Sequence, residues 1–272
     1  MASRHAIITG GSSGIGLAIA RQLSQQKFHL SLISRTQSKL DAAADSLRAQ
    51  QPHRTQKILT LAADVAIREQ AERAIQTAIA QNGPPDILIS SAGMARPGYF
   101  RSLPIDIFEE TMTVNYFGTL YCVKAALPAM CKVNAGQIVL ISSGAGLMGL
   151  FGYAPYSPSK FALRGLAESL RGELRLDGIS VSIVYPPDTD TPQLAAENEF
   201  KPLETKHITA MAQCLSAEQV ANAILKGLKK QQFVITPGLE MTLLARFHSL
   251  VAPILNWQFD RIVKAVRKQV GK

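Results

Sequence analysis

The chain has 272 residues, 47% of them hydrophobic, 18% charged and 6% aromatic, which suits one α/β domain and excludes collagenous, low-complexity and disordered classes. Its net charge of +9 is uneven: residues 226–272 hold nine Lys and Arg against Glu240 and Asp260. Such a tail fits an anionic surface or a solvated helix.

Apolar strand-like runs are predicted at 6–9, 29–34, 58–62, 86–90, 137–142, 180–185 and 233–236. Amphipathic helices are predicted near 14–26, 37–50, 67–81, 106–132, 157–176 and 217–229. This alternation argues for one doubly wound, seven-stranded parallel sheet with helices on both faces, a Rossmann-type domain over 1–238 followed by C-terminal amphipathic helices over 239–272. The uncharged stretch 133–159 is broken by glycines, Pro155 and Pro158 and is rejected as a membrane span.

The first run leads into Thr9-Gly10-Gly11-Ser12-Ser13-Gly14-Ile15-Gly16, which opens the first helix. Glycines allow the sharp turn and let a pyrophosphate approach bare backbone, while the helix N-terminus offers free N–H groups. After the second run, Ser34-Arg35-Thr36-Gln37-Ser38-Lys39 lacks the acid that would bind a ribose 2′-hydroxyl. Arg35 and Lys39 could meet a 2′-phosphate, which favours NADPH over NADH; the competing reading is two solvated surface cations. After the third run, Asp64-Val65 offers either a carboxylate for an adenine amine or a helix cap.

Asn115 falls in the helix near 106–132, Ser143 ends the fifth run, and Tyr156-Ser157-Pro158-Ser159-Lys160 opens the next helix. Pro158 in a first turn would put the phenol and the ammonium on one face. An ammonium beside a tyrosine is expected to draw down the phenol's ordinary pKa of about 10 and equip it for acid–base work. Ser143 could hold a substrate carbonyl, or simply bond backbone; Asn115 could hold a water relaying protons to Lys160, or bond a neighbouring carbonyl. The connection 186–215, rich in Pro, Thr and Glu, is placed as a substrate loop. Cys122, Cys131 and Cys214 form no CxxC or Cys/His cluster, so a reducing intracellular setting is expected and no metal site is assigned.

The glycine turn, Asn115, Ser143 and Tyr156-x-x-x-Lys160, in this order, resemble the single-domain short-chain dehydrogenase/reductases over about residues 5–236. The resemblance implies Tyr156 as proton donor and Lys160 as its activator and ribose contact. It also implies Ser143 as carbonyl orienter and Asn115 as water-holder. Cofactor contacts implied are Gly10, Ser12, Ser13, Gly14, Ile15, Gly16, Arg35, Lys39, Asp64, Val65, Ala92, Gly93, Tyr156, Lys160, Pro186, Thr189 and Thr191. Two departures stand out: Ser90-Ser91-Ala92-Gly93 replaces the usual Asn-Asn-Ala-Gly, and Pro186-Pro187 replaces Pro-Gly.

Within that family, Tyr185-Pro186-Pro187-Asp188-Thr189-Asp190-Thr191-Pro192, Glu197 through Thr205, Gly149 through Tyr153 and Phe161 through Glu168 are similar to the 3-ketosphinganine reductases. That likeness implies NADPH-dependent reduction of a long-chain amino ketone, and in eukaryotes a cytoplasmic location against the endoplasmic reticulum membrane. Relatives acting on steroids, retinoids or other lipid carbonyls share much of the frame, and a non-catalytic NADP(H) sensor is the reading from another class.

In the tail, Leu243, Leu244, Phe247, Leu250, Val251, Ile254 and Leu255 form one apolar stripe. Phe259, Ile262, Val263, Val266 and Val270 form a second after Pro253. These stripes fit peripheral membrane contact through 241–272, with Trp257 as anchor, or packing on the domain or a second subunit in a homodimer or homotetramer. The tail has no recognised nucleic-acid motif, so no nucleic-acid partner is assigned.

Overall fold

A computed structural model describes residues 4–50 and 56–269; Val270 of the second stripe lies outside the described residues. The first half of the chain alternates β1 (His5–Thr9), α1 (Gly14–Gln25), β2 (His29–Ser34), α2 (Gln37–Ala49), β3 (Ile58–Ala62), α3 (Arg68–Asn82) and β4 (Ile87–Ser90). There follow α4 (Ile105–Met112), α5 (Gly118–Val133), β5 (Gly136–Ile141), α6 (Tyr156–Glu173) and β6 (Ile179–Val184). The remainder comprises β7 (Thr189–Asp190), α7 (Pro192–Phe200), α8 (Leu203–Thr209), β8 (Leu215–Ser216), α9 (Ala217–Lys229), β9 (Val234–Ile235) and α10 (Leu239–Gln269).

Seven strands form one parallel sheet in the order β3-β2-β1-β4-β5-β6-β9. Successive side chains of a strand point to opposite faces, so each strand feeds two cores. Ile8, Leu30, Leu32 and Ile89 pack with residues of α1 and α9. Ile7, Leu88, Ile138 and Leu140 pack with residues of α3 and α5 on the other face. Strand order reverses between β1 and β4, which leaves a crevice above the carboxyl ends of these strands.

Three stretches differ from the sequence expectation. The helix expected over 106–132 is α4 and α5 joined by a π-helical turn, Thr113–Phe117. The connection 186–215 is mostly ordered secondary structure: β7 and β8 pair in parallel, and α7 and α8 lie between them. Capping explains much of this, because the Thr191 hydroxyl accepts from Leu194 N ahead of Pro192, and Ser216 with Gln219 forms a reciprocal capping box at α9. In the tail, the break falls at Phe247 (φ −125°, ψ 19°), whereas Pro253 lies inside helix. Proline removes one N–H and crowds the carbonyl a turn earlier, and the departure lies on that N-terminal side.

Both ends of α10 are seated on the rest of the chain. Met241 is buried, and a Cβ added at Gly144 would lie 3.1 Å from its sulfur. Val266 is buried, and Arg267 Nε lies 3.9 Å from Glu204 Oε1 of α8. Between these anchors, Leu243, Phe247, Leu250, Ile254 and Trp257 are exposed, Leu250 at 72%.

Candidate active site

The crevice is a cleft of about 310 Å³. It is lined by Gly10, Ser12, Ser13, Gly14, Ile15, Arg35, Lys39, Asp64, Val65, Ala92 and Gly93 on one side. Ser143, Tyr156, Lys160, Pro186, Thr189 and Thr191 line the other. Two expected residues stand behind this wall. A Cβ at Gly16 would press on the Gly10 carbonyl, so that glycine brings α1 against the turn. Asn115 is fully buried in the π-helical turn.

The turn after β1 adopts conformations suited to glycine. Gly10 has φ +68°, and a Cβ there would stand 2.8 Å from Ala92 N. Ser13 caps α1 in extended conformation without using its side chain, while Ser12 Oγ donates to Ser34 Oγ at 3.0 Å. Arg35 and Lys39 are exposed at the cleft edge and, among the described residues, neither is in an ion pair. Asp64 Oδ1 accepts from Ala66 N at 3.0 Å, so it caps the turn before α3 while also lining the cleft.

The Ser-for-Asn departure after β4 has a structural answer. Thr9 Oγ1 accepts from both Ser91 N and Ala92 N at 3.2 Å, holding the chain as it leaves the strand. The next residue, Gly93, runs so close to the interior that an added Cβ would lie 3.2 Å from Asn115 Oδ1 and 3.5 Å from Lys160 Nζ. Asn115 grips the following residue twice, donating to Met94 O at 3.0 Å and accepting from Met94 N at 2.9 Å. It also donates to Ser159 Oγ at 2.9 Å, and so ties the 91–98 segment to α6. At the other departure, Pro186 O accepts from Gly144 N at 3.0 Å and Thr189 Oγ1 donates to Pro187 O at 2.9 Å.

Tyr156 starts α6 and Lys160 follows one turn later, with Pro158 accommodated in the first turn. Lys160 Nζ lies 5.4 Å from the Tyr156 ring centre and donates to Ile141 O at 3.0 Å. Burial pushes the ammonium down to about 8, against an opposing pull from Glu197. Burial, then the Glu197 carboxylate, holds the Tyr156 phenol well above its ordinary range; hydrogen bonds from Ser143 and Gln193 act the other way. The expected lowering by Lys160 is therefore overturned, because removal of the phenol from water is the largest effect. Ser143 Oγ also accepts from Ala145 N at 3.2 Å, so its backbone bond and its contact with the phenol coexist.

Sequence reasoning missed a set of side chains facing Tyr156. Tyr153 packs against it at 5.6 Å between ring centres and donates its hydroxyl to Glu197 Oε2 at 2.7 Å. Gln193 Nε2 donates to Glu197 Oε1 at 2.8 Å, one helical turn along α7. Tyr153 three residues before Tyr156, and Gln193 four before Glu197, were the available signals.

The residues present fit a nicotinamide dinucleotide. The glycine turn, the Gly93 cradle that a Cβ would fill, and the two exposed cations past β2 lie in one continuous cleft.

Comparison with known proteins gives the same frame. The sequence pattern described as short chain dehydrogenase matches residues 4–202. The chain is 39% identical over 253 residues to bovine (Bos taurus) 3-ketodihydrosphingosine reductase, covering 93% of this chain and 76% of that protein. It is 39% identical to the Danio rerio 3-dehydrosphinganine reductase over the same shares. Among solved structures, a Sphingobium yanoikuyae short-chain dehydrogenase in complex with NADPH matches with TM-score 0.78 at 26% identity, covering 94% of this chain and 96% of that one. A Burkholderia phymatum short chain dehydrogenase/reductase in complex with NAD shares the fold, with TM-score 0.81 at 22% identity over 93% of this chain and 95% of that one. The matched pattern, the parallel sheet and the relatives agree: this chain belongs to the short-chain dehydrogenase family.

Proposed function

We propose that the protein reduces 3-ketosphinganine, a long-chain α-amino ketone, to sphinganine with NADPH. The observation that carries ketone reduction is Tyr156, a buried phenol that lines the same cleft as Ser143, with the Lys160 ammonium 5.4 Å from its ring centre. Relatives named for this ketone align along nearly the whole chain and supply the substrate class.

Arg35 and Lys39 would hold the 2′-phosphate, Asp64 Oδ2 the adenine amine, and the N-terminus of α1 the pyrophosphate. When bound, the nicotinamide supplies hydride to the carbonyl carbon. Ser143 donates a hydrogen bond to the carbonyl oxygen, and Tyr156, kept protonated by its burial, hands that oxygen its proton. The Lys160 ammonium then stabilises the phenolate left behind. Asn115 fixes the backbone beside Lys160 through Met94, and a water on the remaining lone pair of its Oδ1 would pass protons inward. Residues 1–238 thus form the catalytic unit, with 186–215 over the substrate.

The test is NADPH oxidation at 340 nm with 3-ketosphinganine beside a steroid ketone and a short β-keto ester. Selective turnover of the amino ketone is expected; equal turnover of the others would remove the sphingolipid assignment. In the same assay Arg35→Asp is expected to raise the NADPH KM at least about tenfold and shift preference toward NADH. An unchanged preference would place the 2′-phosphate elsewhere.

We further propose that α10 rests on the cytoplasmic face of an anionic membrane, the endoplasmic reticulum in a eukaryotic cell. No helix among the described residues is long and apolar enough to cross a membrane. The exposed stripe through Leu243, Leu250, Ile254 and Trp257 is flanked by Arg246, Arg261, Lys264 and Lys268, which suits an interfacial helix. Full-length protein is expected to sediment with phosphatidylserine vesicles, and Leu250→Glu/Ile254→Glu to stay in the supernatant. A wild-type dimer that never binds vesicles and is split by those changes would make the stripe a subunit interface instead.

A further inference from the structure

Glu197 is only 7% exposed, yet it lines the cleft beside Tyr153 and Tyr156. Its carboxylate receives one neutral donor on each oxygen, the Tyr153 hydroxyl and the Gln193 amide. Among the described residues it is in no ion pair; the neighbouring Lys201 lies 3.5 Å from Asp188 instead. A carboxylate taken out of water with no cation in direct contact is costly, and two neutral donors and the more distant Lys160 ammonium offset that only in part. Each of its oxygens keeps a further lone pair for a donor from the cleft. A buried anion in a substrate cleft with no cation in direct contact is most simply explained by a cationic substrate.

The position fits the chemistry of an α-amino ketone. Glu197 accepts from Tyr153, whose ring packs 5.6 Å from that of Tyr156, so the carboxylate stands one side chain from the phenol. In the substrate the ammonium sits on the carbon next to the carbonyl. With the carbonyl oxygen on Tyr156 and Ser143, the ammonium nitrogen lies only three bonds from that oxygen. Leu150, Pro192 and Leu194 line the same part of the cleft and suit the attached hydrocarbon.

We propose that Glu197 is the seat of the substrate's ammonium and the residue that selects an α-amino ketone over an amine-free ketone. This rests on the ketone-reductase reading above. It also links recognition to chemistry: Glu197 is one of the charges holding the Tyr156 phenol high, and an ammonium on Glu197 neutralises that charge where the proton must leave.

The experiment compares kcat/KM for 3-ketosphinganine with that for the same long-chain hydroxy ketone lacking the amine, in wild type and Glu197→Gln. The variant keeps the shape of the side chain and removes its charge. The wild-type preference for the amine is expected to fall about 30- to 100-fold in Glu197→Gln, chiefly through KM. Competition by products gives a readout that needs no variant: sphinganine is expected to inhibit wild type at least about tenfold more tightly than N-acetylsphinganine. An unchanged preference in a folded Glu197→Gln, or equal inhibition by the two products, would overturn the assignment of Glu197 and leave the reductase reading in place. Wild type that reduces both ketones, and steroids, equally well would overturn both the Glu197 assignment and the sphingolipid substrate, with ketone reduction left standing. If the variant does not fold, the product competition decides alone.

Discussion

Tyr156→Phe is expected to lower kcat for ketone reduction by about 10³-fold while leaving NADPH affinity near that of wild type. The substitution removes a hydroxyl and nothing else. The ring still packs on Tyr153 at 5.6 Å, and Lys160 keeps its bond to Ile141 O. The cofactor side of the cleft is untouched, so fluorescence titration with NADPH separates binding from chemistry. Turnover near the wild-type level would mean that another group protonates the carbonyl oxygen. An inactive variant that also fails to bind NADPH would point to a collapsed cleft, which circular dichroism and thermal melting would register.

Lys160→Met is expected to cost about 10²- to 10³-fold in kcat, with an opposite effect on stability. The ammonium is buried, and desolvation holds its pKa at about 8. It is therefore charged below that pH and neutral above it, and reduction by wild type should slow as pH rises through about 8. The variant should lack that limb. For stability the sign reverses. A lysine with a folded pKa below its unfolded value of about 10.4 penalises the folded state increasingly as pH falls between the two values. Relative to wild type, Lys160→Met should gain in Tm as pH is lowered through that window. A variant that loses both activity and Tm at neutral pH would make Lys160 a structural residue, bonding Ile141 O and little more.

The parts of this site visible in the sequence are those that stay local. β1, the glycine turn and α1 are contiguous, and Tyr156 and Lys160 are one turn apart on one helix. Strands of a parallel sheet read as short apolar runs, so all seven are located to within one residue at each end. Glu197 was hidden for the converse reason. In sequence it sits among Ala, Asn, Glu and Phe in a short stretch with no distinct apolar face, and only the return of α7 over the cleft brings it to Tyr153. The order within 186–215 was masked by its Pro and Thr content, which reads as loop although Thr191 and Pro192 there begin a helix. The break at Phe247 lies six residues before Pro253, so the proline signals a disturbance in the helix but not its position.

The π-helical turn at Thr113–Phe117 sets a rule about chain length rather than side-chain identity. Such a turn amounts to one surplus residue in a helix, and a residue of α-helix spans about 100° of rotation. On its far side, Thr119, Cys122, Val123 and Ala126 of α5 face the core, while Asn115 points toward Met94 and Ser159. Removing any one residue between 113 and 117 would regularise the spiral and swing one of these two faces away from its partners. Point changes at the exposed Phe117 are compatible with both faces; a one-residue deletion is not compatible with both at once. An alignment that opens a gap here would pair Asn115 with the wrong position of a relative, even where every neighbouring strand is correctly matched.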